Sequence, residues 1–104
     1  MKIDQALASF SALSQETRLR VFKLLIEYGD EGAAAGVLSE ALDIPHNTLS
    51  FHLSHLAQAG LISSRKAGRQ VIYTSNRDAM RELIDCLKEN CCVRDTSKKK
   101  KAGC

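Results

Sequence analysis

The sequence predicts a single, mainly α domain that carries one small β-hairpin. Its 104 residues, 44% of them hydrophobic, are enough for one compact core and leave little room for a second. Apolar residues recur at spacings of three and four through most of the chain, which is typical of amphipathic helices. Only one pair of strand-like segments, placed around a glycine, interrupts this pattern.

The first two helices follow from apolar spacing and capping residues. We expect the first to present one apolar stripe, with Gln5 and Ser9 facing away from it. That stripe consists of Ile3, Leu7, Phe10 and Leu13. Ser14 is predicted to cap the second helix, which spans roughly Gln15 to Tyr28 and stops at Gly29.

Two further helices joined by a short break follow. The third is predicted from Ala33 to Leu42 and ends before Pro45. Its expected inward residues are Val37, Leu38, Ala41 and Leu42. The fourth opens around Asn47 and ends at Gly60, a favourable C-terminal residue. Its expected buried seam is Leu49, Leu53 and Leu56.

The hairpin and a fifth helix complete the predicted order of four helices, two strands and one helix. The strands lie on either side of Ala67-Gly68-Arg69, and Ser75 or Asn76 is expected to cap the last helix. Its apolar stripe is predicted to comprise Met80, Leu83, Ile84, Leu87 and Cys91. We therefore divide the chain into a folded domain, residues 1–92, and a flexible basic tail, residues 93–104, that carries Cys104.

The fourth helix presents side chains suited to DNA opposite its leucine seam. Asn and Gln can pair with adenine, Phe suits thymine methyl groups, and the face contains no acid. The alternative is an ordinary polar solvent face. His52 lies near the edge of the seam, where we expect it to pack or to orient a phosphate contact. The candidate DNA-binding residues of this helix are Asn47, Thr48, Ser50, Phe51, Ser54, His55 and Gln58.

Three cations are predicted at the tip of the hairpin, namely Arg65, Lys66 and Arg69, where they could contact phosphates. Basic tips also occur for solubility alone, but a basic wing directly after a polar-faced helix is a more specific combination. The formal charge of +3 permits double-stranded operator DNA as a partner. The sequence has no apolar segment long enough for a membrane span or a secretory signal, so we expect a cytoplasmic protein without a membrane partner.

Two segments resemble the ArsR/SmtB family of metal-responsive repressors. They are Leu13-Ser14-Gln15-Glu16-Thr17-Arg18-Leu19 and Ser50-Phe51-His52-Leu53-Ser54-His55-Leu56, and the resemblance extends from residue 3 to about residue 92. It implies a winged helix-turn-helix homodimer that binds an imperfect palindrome and dissociates on metal binding. The first and last helices would then form the dimer interface. It also implies a transcriptional repressor, not an enzyme.

Within that family, this chain departs from two familiar sensor arrangements. Its third helix contains no cysteine, and its last helix contains no histidine. What remains is Glu89-Asn90-Cys91-Cys92 with a later cysteine, which resembles arsenic repressors that have a three-cysteine site near the C-terminus. The resemblance therefore implies As(III), or Sb(III), as the inducer and no organic cofactor.

Thiolates suit As(III) or Sb(III), because soft sulfur ligands prefer thiophilic centres and three of them complete the pyramidal coordination of such an ion. We expect Cys91, Cys92 and Cys104 as ligands, with a cysteine of another subunit as an alternative third. On a continuous helix Cys86 lies about 140° from Cys91, so we expect it to be a spare. If Cys91 shares the apolar stripe of the last helix, ligation would pull on the end of the dimer helix.

Other chemistries remain open for these thiols. Cys86, Cys91 and Cys92 could form a peroxide-sensitive or disulfide switch, and a four-cysteine zinc site is possible if the helix unwinds. A thiol enzyme is disfavoured, because the chain has no Cys-x-x-Cys, no phosphate-binding glycine loop beside a cysteine and no histidine near the thiols in sequence.

Overall fold

The computed structural model describes residues 1–97, so Cys104 and the four lysines at 98–101 lie outside the described residues. The elements in order are α1 (Ile3–Leu13), α2 (Glu16–Tyr28), a 3₁₀ turn (Gly29–Glu31), β1 (Ala33–Ala34), α3 (Ala35–Leu42), α4 (His46–Gln58), β2 (Ile62–Ala67), β3 (Gln70–Ser75) and α5 (Arg77–Lys88). The prediction of a mainly helical domain is confirmed. Within residues 1–97, no helix has the length and apolar character needed to span a membrane.

The predicted hairpin is part of a three-stranded antiparallel sheet with the order β1-β3-β2. Ala33 was expected to begin the third helix, but it pairs with Tyr73 in β3, and the helix begins at Ala35. Gly32 makes this pairing possible, because its φ is +68° and a Cβ there would lie 2.4 Å from the carbonyl oxygen of Tyr73. Only glycine fits so close to the neighbouring strand.

The core lies between the helices and the inner face of the sheet. The predicted seam of α4 is confirmed, since Leu49, Leu53 and Leu56 are fully buried. They pack with Leu25 of α2 and Leu38 of α3 in one apolar cluster. This packing fixes α4 from the inside and leaves its opposite face free for another role.

The buried face of α1 is not the predicted one. Ala6, Ser9 and Ala12 face the core, so the expectation that Ser9 faces away is wrong. These small residues permit close packing of α1 against α2 and α4. The larger side chains Ile3 and Leu7 are left outside, and Leu7 is 63% exposed.

Two local predictions also need correction. Gln15, not Ser14, caps α2, because its Oε1 accepts a hydrogen bond from the backbone N–H of Arg18 at 2.8 Å. In α3, Val37 and Ala41 are exposed, whereas Leu38 is buried. Of the two candidate caps for α5, the structure uses Asn76.

The last helix is shorter than its apolar pattern predicts. It ends at Lys88, and the following segment turns, with positive φ angles of 59° at Asn90 and 65° at Cys92. Cys91 therefore lies outside α5 and does not share its apolar stripe. Because α5 ends before Cys91, the separation of about 140° expected between Cys86 and Cys91 on one continuous helix does not apply.

Candidate DNA-binding surface and thiol site

The outer face of α4 is exposed and contains no acidic residue. Phe51 is 65% exposed, and its ring makes an edge contact with the half-buried His55, with 6.2 Å between ring centroids. The other candidate side chains of this helix are all exposed, namely Asn47, Thr48, Ser50, Ser54 and Gln58. The surface thus combines one large apolar group with neutral hydrogen-bonding groups, which suits the edges of bases.

A buried arginine connects this helix to the rest of the core. Arg18 of α2 is 9% exposed; its Nε donates to the carbonyl oxygen of Ala12 at 2.8 Å, and its Nη1 lies 3.4 Å from Nδ1 of His52. His52 itself is 8% exposed, as expected for a packing residue. Burial lowers the pKa of His52, and the nearby Arg18 and His55 lower it further.

Arg18 was not among the residues predicted to have a function. A signal was present, because Arg18, Phe22 and Leu25 follow one another at helical spacing on the buried side of α2. A cation at the start of an apolar stripe, on its buried side, usually needs a specific partner. The pattern alone could not show that this partner is 34 residues away.

The three cations predicted at the tip of the wing, the hairpin of β2 and β3, have different surroundings in the structure. Lys66 and Arg69 are exposed at the end of the hairpin. The guanidinium of Arg65 instead donates to the backbone carbonyls of Asp30, at 3.4 Å, and Glu31, at 2.9 Å. The carboxylate of Asp30 in turn forms an ion pair with Arg77 of α5. Arg65 therefore attaches the wing to the 3₁₀ turn.

The described cysteines lie at and beyond the end of α5. Sγ of Cys91 and Sγ of Cys92 are 3.2 Å apart, and both residues are exposed. Cys86 is half-buried within α5. Among residues 1–97, no group of three His, Cys, Asp or Glu side chains is placed to hold a metal ion. The adjacent pair can thus supply two thiolates, and the proposed third ligand, Cys104, lies outside the described residues.

Large apolar side chains of α1 and α5 remain exposed in the single chain. They are Ile3, Leu7 and Phe10 of α1, and Ile84 and Leu87 of α5. Leu87 is 69% exposed, and Val93, just beyond the cysteines, is exposed to a similar extent. Exposed apolar side chains in such number are typical of protein interaction surfaces.

Residues 13–65 match the helix-turn-helix domain family. The chain is 34% identical over 88 residues to an HTH-type transcriptional regulator of Methanocaldococcus jannaschii, covering 85% of this chain and 97% of that protein. It is 33% identical over 78 residues to the transcriptional repressor SdpR of Bacillus subtilis, covering 75% and 83%. A candidate arsenical resistance operon repressor of Halobacterium salinarum is 37% identical over 59 residues, 57% of this chain and 45% of that protein.

Solved structures share the fold. An ArsR-like transcriptional regulator from Rhodococcus sp. RHA1 superimposes with a TM-score of 0.74 at 27% identity, covering 82% of this chain and 77% of that one. A homodimeric winged helix-turn-helix domain from Mycobacterium bovis, described as a possible ArsR-family regulator, gives a TM-score of 0.70 at 21% identity. It covers 95% of this chain and 90% of its own.

Proposed function

The chain belongs to the helix-turn-helix family of transcriptional regulators, and on this basis we propose that it is a homodimeric repressor released from its operator by trivalent arsenic or antimony. The observation that carries the proposal is the exposed, acid-free face of α4, held by a buried leucine seam and followed directly by a basic wing. Such a helix fits the major groove, and such a wing fits the adjacent phosphates.

The candidate base contacts come from α4. Asn47 and Gln58 lie at opposite ends of the helix and can each pair with an adenine, while Phe51 between them can contact a thymine methyl group. Lys66 and Arg69 of the wing supply the phosphate contacts. The division assigns sequence preference to α4 and salt-dependent affinity to the wing.

Dimerisation accounts for the exposed apolar residues of α1 and α5. A second copy of the chain would cover Leu7, Phe10 and Leu87 and so remove them from water. The two α4 helices of the dimer, which we call the recognition helices, would then bind half-sites about 34 Å apart. The homodimeric neighbour from M. bovis supports this assembly by analogy of fold.

The inducer site is proposed at Cys91, Cys92 and Cys104. The first two thiols lie next to each other on the surface, where an incoming As(III) ion can exchange its oxygen ligands for sulfur. A third thiolate completes a pyramidal site; Cys86 and a cysteine of the other subunit remain alternatives to Cys104.

Ligation would act on the turn that follows α5. Leu87 lies just before the thiol pair and Val93 just after it, and both are exposed. A metalloid that draws three thiolates together reshapes this segment and thereby repositions two apolar side chains at the edge of the proposed dimer interface. The spacing of the two recognition helices then changes, and operator affinity falls.

Fluorescence anisotropy of a labelled palindromic promoter fragment tests the proposal. The reduced protein should bind the DNA, and stoichiometric arsenite should release it. Cys91→Ser should abolish the release without weakening DNA binding. Cys86→Ser and Cys104→Ser then identify the third ligand, because the serine variant at that position should lose the response while the other should respond as the unaltered protein does. Failure of arsenite to release the DNA, or an unchanged response in Cys91→Ser, would overturn the inducer assignment.

A thiol redox switch is the second candidate, and the 3.2 Å separation of the Cys91 and Cys92 sulfurs favours it. Hydrogen peroxide would accept two electrons and two protons from the two thiols, giving one disulfide and two waters. Release of the DNA by peroxide but not by arsenite would select this candidate. Reversal by dithiothreitol would separate it from irreversible oxidation.

A further inference from the structure

Arg18 is a buried cation that joins three helices. It belongs to α2, donates to the carbonyl of Ala12 near the C-terminal end of α1, and contacts His52 of α4. The last carbonyls of a helix lack partners within the helix and carry partial negative charge, so that end of α1 is a favourable site for a guanidinium. No carboxylate within residues 1–97 forms an ion pair with Arg18.

This arrangement dictates the protonation state of His52. A guanidinium has only N–H donors and keeps its charge at all ordinary pH values. The ring nitrogen that faces it, Nδ1 of His52, must therefore be the acceptor, which places the single proton of the neutral ring on Nε2. Protonation of Nδ1 would replace this attraction with two cations and two donors facing each other at 3.4 Å.

We propose that the Arg18–His52 contact is a positioning device for α4 that couples operator binding to the protonation of His52. The inference rests on the proposed DNA binding through α4. His52 follows Phe51 directly, and their rings are in edge contact with 5.5 Å between centroids. A shift of the His52 ring thus acts at once on the exposed aromatic side chain of the DNA-binding face.

The direction of the pH effect follows from the groups around His52. Burial disfavours its charged form most, and the nearby Arg18 from α2 and His55 from α4 itself disfavour it further, so its pKa lies below the ordinary value of about 6.5. At pH values above this lowered pKa, His52 is mostly neutral and its contact with Arg18 positions α4. The contact is lost as the pH falls through the lowered pKa.

His55 provides a contrast on the same helix. It is half-exposed on the proposed DNA-facing surface, and its protonation adds a cation next to phosphates. A positive charge on His55 therefore favours DNA binding, whereas a positive charge on His52 opposes it. The two histidines can be distinguished by the sign of their effects.

The test is operator affinity from pH 7.5 to 5.5 at constant salt, measured by fluorescence anisotropy, with far-UV circular dichroism recorded at each pH. His52→Asn keeps an acceptor oxygen close to the position of Nδ1 but does not titrate. We expect the unaltered protein to lose affinity severalfold across this range, by less than about tenfold because the pKa of His52 lies below 6.5, and His52→Asn to lose less than twofold. His55→Asn, the matched control, should lose at least as much as the unaltered protein.

Equal pH profiles for the unaltered protein and His52→Asn overturn this inference alone, while lack of binding at pH 7.5 overturns the proposed function as well. Loss of affinity that merely follows loss of the helical signal also overturns it, because His52 would then act on folding as a whole. If His52→Asn does not fold, Arg18→Gln serves instead. It retains an amide donor without the charge, and its affinity should vary less with pH than that of the unaltered protein.

Discussion

Helices α4 and α5 are both amphipathic, but their apolar residues are buried to different extents. In α4, Leu49, Leu53 and Leu56 are all buried within the chain, and the outward face is polar. In α5, Leu83 is buried while Ile84 and Leu87 remain exposed. The contrast fits the two proposed partners, nucleic acid for α4 and a second copy of the chain for α5.

The largest expected effect is a comparison of one leucine from each helix. Leu53→Ala should lower the free energy of unfolding by about 2–5 kcal/mol, because it leaves a cavity in the core. Leu87→Ala removes a side chain that is exposed in the single chain, so its effect should depend on dimer formation. Urea unfolding at several protein concentrations measures both.

The concentration dependence decides the result. The penalty of Leu53→Ala should be the same at low and high protein concentration. That of Leu87→Ala should be small at concentrations where the protein is monomeric and should grow as the dimer forms. An equal and constant loss for both variants would mean that Leu87 packs within its own chain, and the contrast between the helices would fail.

The sequence predicted the existence of each helix better than it predicted what each helix packs against. Spacing placed Leu49, Leu53 and Leu56 in a seam, and the structure confirms this. The same kind of spacing placed Leu7 in an apolar stripe of α1, yet the chain buries Ser9 instead. Periodicity identifies an apolar face but does not distinguish a core from a surface that needs a partner.

Long-range contacts were beyond such patterns. Strand β1 has only two residues, and it exists because Ala33 and Ala34 pair with β3, about 40 residues away in sequence. The Arg18–His52 contact joins residues whose individual segments gave no sign of each other. The end of α5 was missed because Asn90 and Cys92 adopt left-handed backbone angles while Cys91 still fits the helical period.

Function was predictable at the level of class. The prediction of a DNA-binding regulator, not an enzyme, is confirmed by the family to which the chain belongs. The DNA-binding residues and the cysteine ligands stay predictions. Of the three proposed wing cations, Arg65 differs from the other two, because its hydrogen bonds to the 3₁₀ turn depend on tertiary structure that the hairpin sequence does not encode.

The two helices also begin differently, and this gives an effect of intermediate size. Pro45 precedes α4 without a side-chain cap, and in the first turn the N–H of Thr48 donates to Oδ1 of the neighbouring Asn47 at 3.0 Å. At α5 the Asn76 side chain accepts from the N–H of Ala79 at 3.1 Å, and it also donates to the carbonyl of Gly60 at 3.0 Å. Asn76→Ala should therefore cost about 1–2 kcal/mol of unfolding free energy in urea titrations.

Ser14→Ala provides the matched control for that cap. Ser14 was predicted to cap α2, but in the structure its hydroxyl donates to the carbonyl of Ser11 within α1. Its replacement should cost clearly less than that of Asn76. A larger cost for Ser14→Ala would restore the prediction made from the sequence and contradict the assignment of Gln15 as the cap.

The smallest expected effect concerns the wing, which carries the proposed phosphate contacts and is attached to α5 through Asp30. Lys66→Ala should reduce the slope of log affinity against log salt by about 1, because one phosphate contact is lost. Arg65→Ala should change that slope less, since the Arg65 guanidinium is already held by the carbonyls of Asp30 and Glu31. Anisotropy titrations at salt concentrations from about 50 to about 200 mM compare the slopes of the two variants.

Equal slopes for both variants would mean that Arg65 leaves the 3₁₀ turn to bind phosphate. In that case DNA binding itself would detach the wing from the turn that pairs with Arg77, and the regions assigned to DNA and to the second subunit would be mechanically linked through Asp30.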